Sequence, residues 1–89
     1  MGHFQKGSVM ATQIRELLGS HKIIPVPVDN VADEADLYDL GMTSFASVQL
    51  MLALEEAFDI EFPDHMLTRS VFASVGAIRS AVEELTAGA

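Results

Sequence analysis

Apolar residues recur at helical spacing in three stretches of the chain. From Val9 to Gly19, Met10, Ile14, Leu17 and Leu18 share one side while Arg15 and Glu16 fall on the other, which predicts an amphipathic helix with Gly19 as its stop. From Ser44 to Phe58 the chain holds good helix formers with no Gly or Pro, and Thr43 or Ser44 stands where a cap is needed. Asp59 and the strand-like Ile60-Glu61-Phe62 ahead of Pro63 mark the end of that helix. Val75, Ile78, Val82 and Leu85 line one face of a last helix behind Ser74, its cap. Between the second and last helices, Asp64 is placed to cap a short helical piece through Met66, Leu67 and Arg69.

The stretch from Ser20 to Thr43 breaks the pattern. Pro25 and Pro27 impose extended backbone and remove amide donors, and Asp29-Asn30 offers turn chemistry. A connection this long needs anchoring, and Leu37, Tyr38 and Leu40 can dock on the core through one helical turn. No repeat or alternating strand pattern interrupts the sequence. The expected fold is all-α: a small four-helix bundle of three main helices and one short one, with a long first loop. Residues 9–86 form the expected domain, with 1–8 as a disordered start or cloning remnant and 87–89 as a tail.

The Ser44–Phe58 helix is too apolar to bury only one face. Met51, Leu54 and Phe58, helped by Ser47 and Leu50, make a stripe that can face the core. Phe45, Val48 and Leu52 make a second, at i, i+3 and i+7, rotated away from the first. A small bundle cannot bury both. The second stripe, flanked by Gln49, Glu55 and Glu56, is therefore expected to be a docking surface with an apolar centre and an acidic rim, unless the long loop folds over it.

Composition narrows the partners. The 89 residues hold 49% apolar side chains, enough for one compact domain. The net charge is -8, and no Lys or Arg occurs from Ile23 to Thr68, so nucleic acid is an unfavourable partner while basic protein surfaces are favoured. There is no cysteine, so any thiol chemistry must come with a cofactor. No apolar run is long enough for a membrane span, and no secretory signal pattern opens the chain, so the cytoplasm is the expected compartment; nothing suggests an obligate dimer, and a monomer is expected.

The candidate chemistry centres on Asp39-Leu40-Gly41-Met42-Thr43-Ser44-Phe45. Gly41 permits close backbone approach, and the start of the following helix leaves amide N–H groups unpaired, where an anion on Ser44 is favoured. A serine at a helix start is by itself an ordinary cap. Other chemistries fit worse. The acids from Asp29 to Asp39 miss the calcium-loop spacing, with Val31, Glu34 and Leu40 at its third, sixth and twelfth positions. His3, His21 and His65 lie far apart in sequence and suggest no metal site, though His65 near Arg69 is a candidate partner contact. Gly41-Met42-Thr43-Ser44 follows no strand and lacks the glycine of a hydrolase nucleophile elbow.

In company, these residues resemble the acyl carrier protein family. The resemblance runs through Leu40-Gly41-Met42-Thr43-Ser44-Phe45-Ala46-Ser47-Val48 and Leu52-Ala53-Leu54-Glu55-Glu56-Ala57-Phe58-Asp59-Ile60-Glu61-Phe62-Pro63-Asp64, and it covers about residues 9–86. It implies that Ser44 receives phosphopantetheine from coenzyme A through a separate Mg²⁺-dependent phosphopantetheinyl transferase, and that the arm's thiol holds cargo as a thioester. The carrier itself would catalyse nothing. It also implies that Val48, Leu52, Glu55 and Glu56 meet partner enzymes, in agreement with the second stripe.

Gly41 to Glu56, followed by Phe62-Pro63-Asp64-His65-Met66-Leu67-Thr68-Arg69, is similar to a narrower group, the stand-alone bacterial aminoacyl carrier proteins. That similarity implies an amino acid as cargo, a small one such as glycine or alanine, loaded by a seryl-tRNA-synthetase-like amino acid:carrier protein ligase. Phe45, Phe58, Phe62 and Phe72 are candidates to fill interior space that a long acyl chain would otherwise enter. Three positions depart from the family pattern: Thr43 and Phe45 stand where Asp and Leu usually flank the serine, and Gln49 replaces an acid. The missing carboxylate bears on which transferase accepts the chain. The alternatives are an acyl carrier for fatty acid, polyketide or specialised lipid synthesis, and an unmodified helical interaction module.

Overall fold

The computed structural model describes residues 6–87. Three α-helices, α1 (Lys6–Ser20), α2 (Ser44–Phe58) and α3 (Val75–Ala87), are joined by segments that hold three short 3-10 turns, at Val28–Asn30, Asp64–Met66 and Arg69–Phe72. No strand occurs among the described residues, and Ile60-Glu61-Phe62 runs as a loop. The expected fourth helix is thus a pair of 3-10 turns. Asp64 is the first residue of its turn rather than a side-chain cap, because Pro63 occupies the cap position. The expectations for residues 1–5 and 88–89 lie outside the described residues.

Helix α1 starts at Lys6, three residues before the Val9 boundary that periodicity predicts. It buries Met10, Ala11, Ile14 and Leu18, a stripe with i, i+4 and i+8 spacing. Gly19 does not end it. The stop is Lys22, in the left-handed region at φ 53°, where its N–H reaches the Gly19 carbonyl at 3.2 Å and the Ile23 N–H reaches the Leu18 carbonyl at 2.9 Å. This is the double bond of a Schellman end, with buried Ile23 and Leu18 as its apolar contact. Helix α2 also ends left-handed, at Asp59 with φ 54°, and the Ile60 N–H reaches the Glu55 carbonyl at 3.1 Å. Ser74 caps α3 as expected, its Oγ accepting from the Ala77 N–H at 3.0 Å.

The loop between α1 and α2 is part of the core. Ile23, Ile24, Val31, Leu37 and Met42 are all buried, with Tyr38 and Leu40 packed against the core edge. Backbone bonds hold it: the Leu37 N–H donates to the Ala73 carbonyl at 2.7 Å, and the Gly76 N–H to the Asp33 carbonyl at 2.9 Å. Arg15 donates to the Val31 carbonyl at 2.8 Å and pairs with the Asp33 carboxylate, which Arg79 approaches to 3.9 Å from α3. These groups are partly exposed, so the ion pairs add little energy and the backbone bonds and apolar anchors carry most of the hold. Phe62 and Phe72 close the far side of the core edge to face, centroids 5.2 Å apart.

Candidate carrier site at the start of helix α2

Just before α2, a helical turn positions the junction. Asp36 Oδ1 accepts from the Tyr38 N–H at 2.9 Å, and the Leu40, Gly41 and Met42 amides bond back to Leu37, Tyr38 and Leu37 carbonyls at 3.0 to 3.1 Å. Gly41 then turns the chain at φ 112°, its Cα facing Pro25 so closely that a Cβ would lie 2.7 Å from that ring. Buried Met42 pins the next residue, and Thr43 caps α2: its Oγ1 accepts from the Ala46 N–H at 3.0 Å while its carbonyl accepts from the Ser47 N–H at 2.9 Å. The cap is Thr43, which leaves Ser44 free to be the first helical residue.

Ser44 is exposed, and the three hydroxyls at this junction differ in what they do. Thr43 Oγ1 is committed to the cap, Ser47 Oγ donates to the Ser44 carbonyl at 2.7 Å, and the Ser44 hydroxyl has no hydrogen-bond partner among the described residues. The Ser44 and Phe45 amides lie in the first turn of α2 and have no intrahelical acceptor. An anion attached to the Ser44 hydroxyl would be favoured there by about 0.3–1 kcal/mol.

A groove of about 340 Å³ runs beside Ser44, between α2 and the Arg69–Phe72 turn. Val48, Met51, Leu67 and Phe72 supply its apolar lining; Ser44, Ser47, Thr68 and Arg69 supply the polar part. Tyr38 lines it from the long loop, with the Arg69 guanidinium carbon 3.8 Å from the ring centroid. A second groove of about 730 Å³ lies where Phe45, Ala46 and Gln49 of α2 face Ile24, Pro25 and Val26 of the loop.

The two-stripe reading of α2 holds with one adjustment. The core stripe consists of Ala46, Leu50, Ala53 and Leu54, with Met51 and Phe58 half-buried at its margin. Phe45, Val48 and Leu52 are 73%, 52% and 55% exposed, so the long loop leaves the second stripe open. Gln49 and Glu56 are exposed beside it. Glu55 has a structural partner that the spacing could not reveal: its Oε2 accepts from the Phe62 N–H at 2.9 Å, tying the end of α2 to the following loop. Phe45, being exposed, does not fill the interior; Phe62 and Phe72 do, and Phe58 is half-buried. Arg69 and Tyr38 as a stacked pair were not legible beforehand, since 31 positions separate them in the sequence.

The model of the phosphopantetheine attachment site family matches residues 12–82. The chain belongs to this family of acyl carrier proteins. Its cofactor is phosphopantetheine, held covalently. The exposed and unengaged hydroxyl at the start of α2 fits a group joined through a phosphodiester. Among relatives, the aminoacyl carrier protein of Agrobacterium fabrum is 57% identical over 79 residues, 89% of this chain and 95% of its own length. An acyl carrier protein of Syntrophobacter fumaroxidans is 49% identical over 51 residues, 57% of each chain. A chain in the crystal structure of an engineered Bradyrhizobium japonicum glycine:[carrier protein] ligase complexed with carrier protein from Agrobacterium tumefaciens and ATP superposes with a TM-score of 0.81. It is 58% identical, with 85% of this chain and 99% of that one covered. A chain in the Bradyrhizobium japonicum ligase structure with glycylated carrier protein gives a TM-score of 0.71 at 30% identity, covering 82% of this chain and 97% of that one. No helix among the described residues is long and apolar enough to cross a membrane.

Proposed function

We propose that the chain carries an activated amino acid as a thioester on a phosphopantetheine arm joined to Ser44, and that an amino acid:carrier protein ligase loads it. The observation that carries the attachment is the exposed Ser44 hydroxyl, unengaged while Thr43 serves as the cap. The amino acid as cargo is supported by likeness to an aminoacyl carrier protein over nearly the full length of both chains, and to chains in glycine:[carrier protein] ligase complexes. When attached, the arm supplies the thiol that this cysteine-free chain lacks.

The residues of the chain present and orient; partner enzymes perform the chemistry. The Thr43 cap and buried Met42 fix the backbone that leads into Ser44, and the exposed side chain presents its hydroxyl to solvent at the helix start. Phe45, Val48 and Leu52 form the apolar centre of the docking face, with Gln49 and Glu56 at its rim and Glu55 divided between the rim and its bond to Phe62. Acids around α2, with no Lys or Arg from Ile23 to Thr68, favour approach by a basic surface. The need of the partners for ATP and coenzyme A supports the cytosol as the compartment of this exchange.

The test is to load the arm with coenzyme A, Mg²⁺ and a broad-specificity transferase, then add glycine or alanine, ATP and a seryl-tRNA-synthetase-like ligase. The expected product is an aminoacyl protein that hydroxylamine cleaves, as a thioester requires. Loading of the arm with no amino acid accepted, and acyl groups accepted from acyl-transferring enzymes, would assign the chain to lipid or polyketide synthesis instead. With the ligase as readout, Val48→Asp or Leu52→Asp lowers kcat/KM about tenfold, the loss of ~1.4 kcal/mol at one interface hot spot. Stability falls by about 1 kcal/mol or less, because both side chains are about half exposed and the helix meets only the propensity and like-charge cost of an Asp. Unfolding by either substitution would place the stripe in the core.

A further inference from the structure

Arg69 differs from the other two arginines of the chain. Arg15 and Arg79 both turn to Asp33, whereas Arg69 has no carboxylate partner among the described residues. Its guanidinium instead lies on the face of Tyr38, 3.8 Å from the ring centroid. Stacking engages only the flat face of a guanidinium and leaves its N–H donors, which lie in the plane, free for an anion. The contact with Tyr38 also biases the group toward this position, so part of the side-chain freedom that binding an anion would cost is already given up.

The surroundings name the anion. Arg69, Tyr38 and Ser44 line one groove, and among the described residues Arg69 is the sole Lys or Arg on it. The chain carries a net charge of -8, with ten of its thirteen acids between Asp29 and Asp64, so the local field repels acidic ligands in general. An anion joined covalently to a residue of the same groove is kept there despite that repulsion, because the tether gives it a high effective concentration at Arg69. We infer that Arg69, held on Tyr38, binds the phosphodiester of the prosthetic arm and draws the start of the arm toward the groove lined by Val48, Met51 and Phe72. This inference rests on Ser44 as the attachment point.

NMR of the full chain, apo and loaded, tests it. Intact mass first establishes loading of the wild type, R69Q and R69K. In the wild type the Arg69 Nε–H resonance shifts on loading, as do amides of Val48, Met51 and Phe72. In R69Q the phosphodiester ³¹P resonance departs from its wild-type position and the amide shifts are lost. R69K keeps part of the effect, since an ammonium retains the charge without the planar fork. Added salt moves the wild-type ³¹P resonance toward the R69Q position, because an exposed charge contact is screened. Full loading with an Arg69 resonance identical in apo and loaded protein, and equal ³¹P positions in wild type and R69Q, would overturn the inference while leaving the attachment at Ser44 intact. A change in ligase KM with unchanged ³¹P would also overturn it, by showing that Arg69 serves the partner instead. Absence of any mass gain removes the attachment reading itself.

Discussion

Ser44→Ala protein, incubated with coenzyme A, Mg²⁺ and a phosphopantetheinyl transferase, keeps its apo mass, while the wild type gains the mass of one phosphopantetheine. The effect is all-or-none because the step forms a bond from Ser44 Oγ to phosphorus as the bond from that phosphorus to the adenosine bisphosphate of coenzyme A breaks. The hydroxyl proton leaves with the transferase. No neighbouring hydroxyl substitutes: Thr43 Oγ1 accepts from the Ala46 amide, and Ser47 Oγ donates to the Ser44 carbonyl. The fold should survive, since Ser44 is exposed and makes no side-chain bond, and alanine is readily accepted in a helix. An unchanged circular dichroism melt therefore accompanies the lost mass gain. An undiminished gain in Ser44→Ala would place the arm elsewhere, and no gain in the wild type with several transferases would favour an unmodified interaction module.

Gly41→Ala carries the largest expected loss of stability. At φ 112° an L-residue is strained by about 1–3 kcal/mol, and the new Cβ would fall 2.7 Å from both Cδ and Cγ of Pro25. A proline ring cannot rotate away as a flexible side chain does, so the two loop segments must separate. The expected cost is roughly 2–4 kcal/mol, or a fall in Tm of about 10–20 °C for a domain of this size. Arm transfer should slow as well, because Gly41 sets the course of Met42 and Thr43 into Ser44. Gly19→Ala is the matched control. That glycine lies in α1, where a Cβ would meet Val28 at an ordinary 3.7 Å, so the substitution should raise stability by about 0.5–1 kcal/mol through helix propensity alone. Equal melts for Gly41→Ala and wild type would mean that the Pro25 contact relaxes freely.

Several elements are legible in the sequence alone. The bounds of α2 at Ser44 and Phe58, the cap at Ser74, and the open stripe of Phe45, Val48 and Leu52 follow from neighbours within one or two helical turns, whereas the choice of Thr43 over Ser44 as the α2 cap is made only in the folded chain. The junction at Gly41 and the exposed Ser44 belong with them, since turn and cap chemistry act over three or four residues. The start of α1 and the form of the fourth helix differ from the sequence pattern for related reasons. Three residues before Val9 carry no periodic signal yet join α1, and Pro63 displaces Asp64 from the cap position that its side chain suggested.

Contacts between distant segments could not be read that way. The burial of Ile23, Ile24, Val31 and Met42 depends on the first loop finding the core surface left by α1, α2 and α3, and no periodicity marks those positions. Asp33 between Arg15 and Arg79, Glu55 on the Phe62 amide, and Arg69 on Tyr38 each join residues whose separation carries no helical period. Order along the chain was enough to make Ser44 the head of a long helix with an unburied apolar stripe, because capping and amphipathicity are local properties. Only the packed molecule placed a stacked guanidinium in the groove with that serine, because which distant side chains meet is settled by how the helices and the loop bury their apolar faces together.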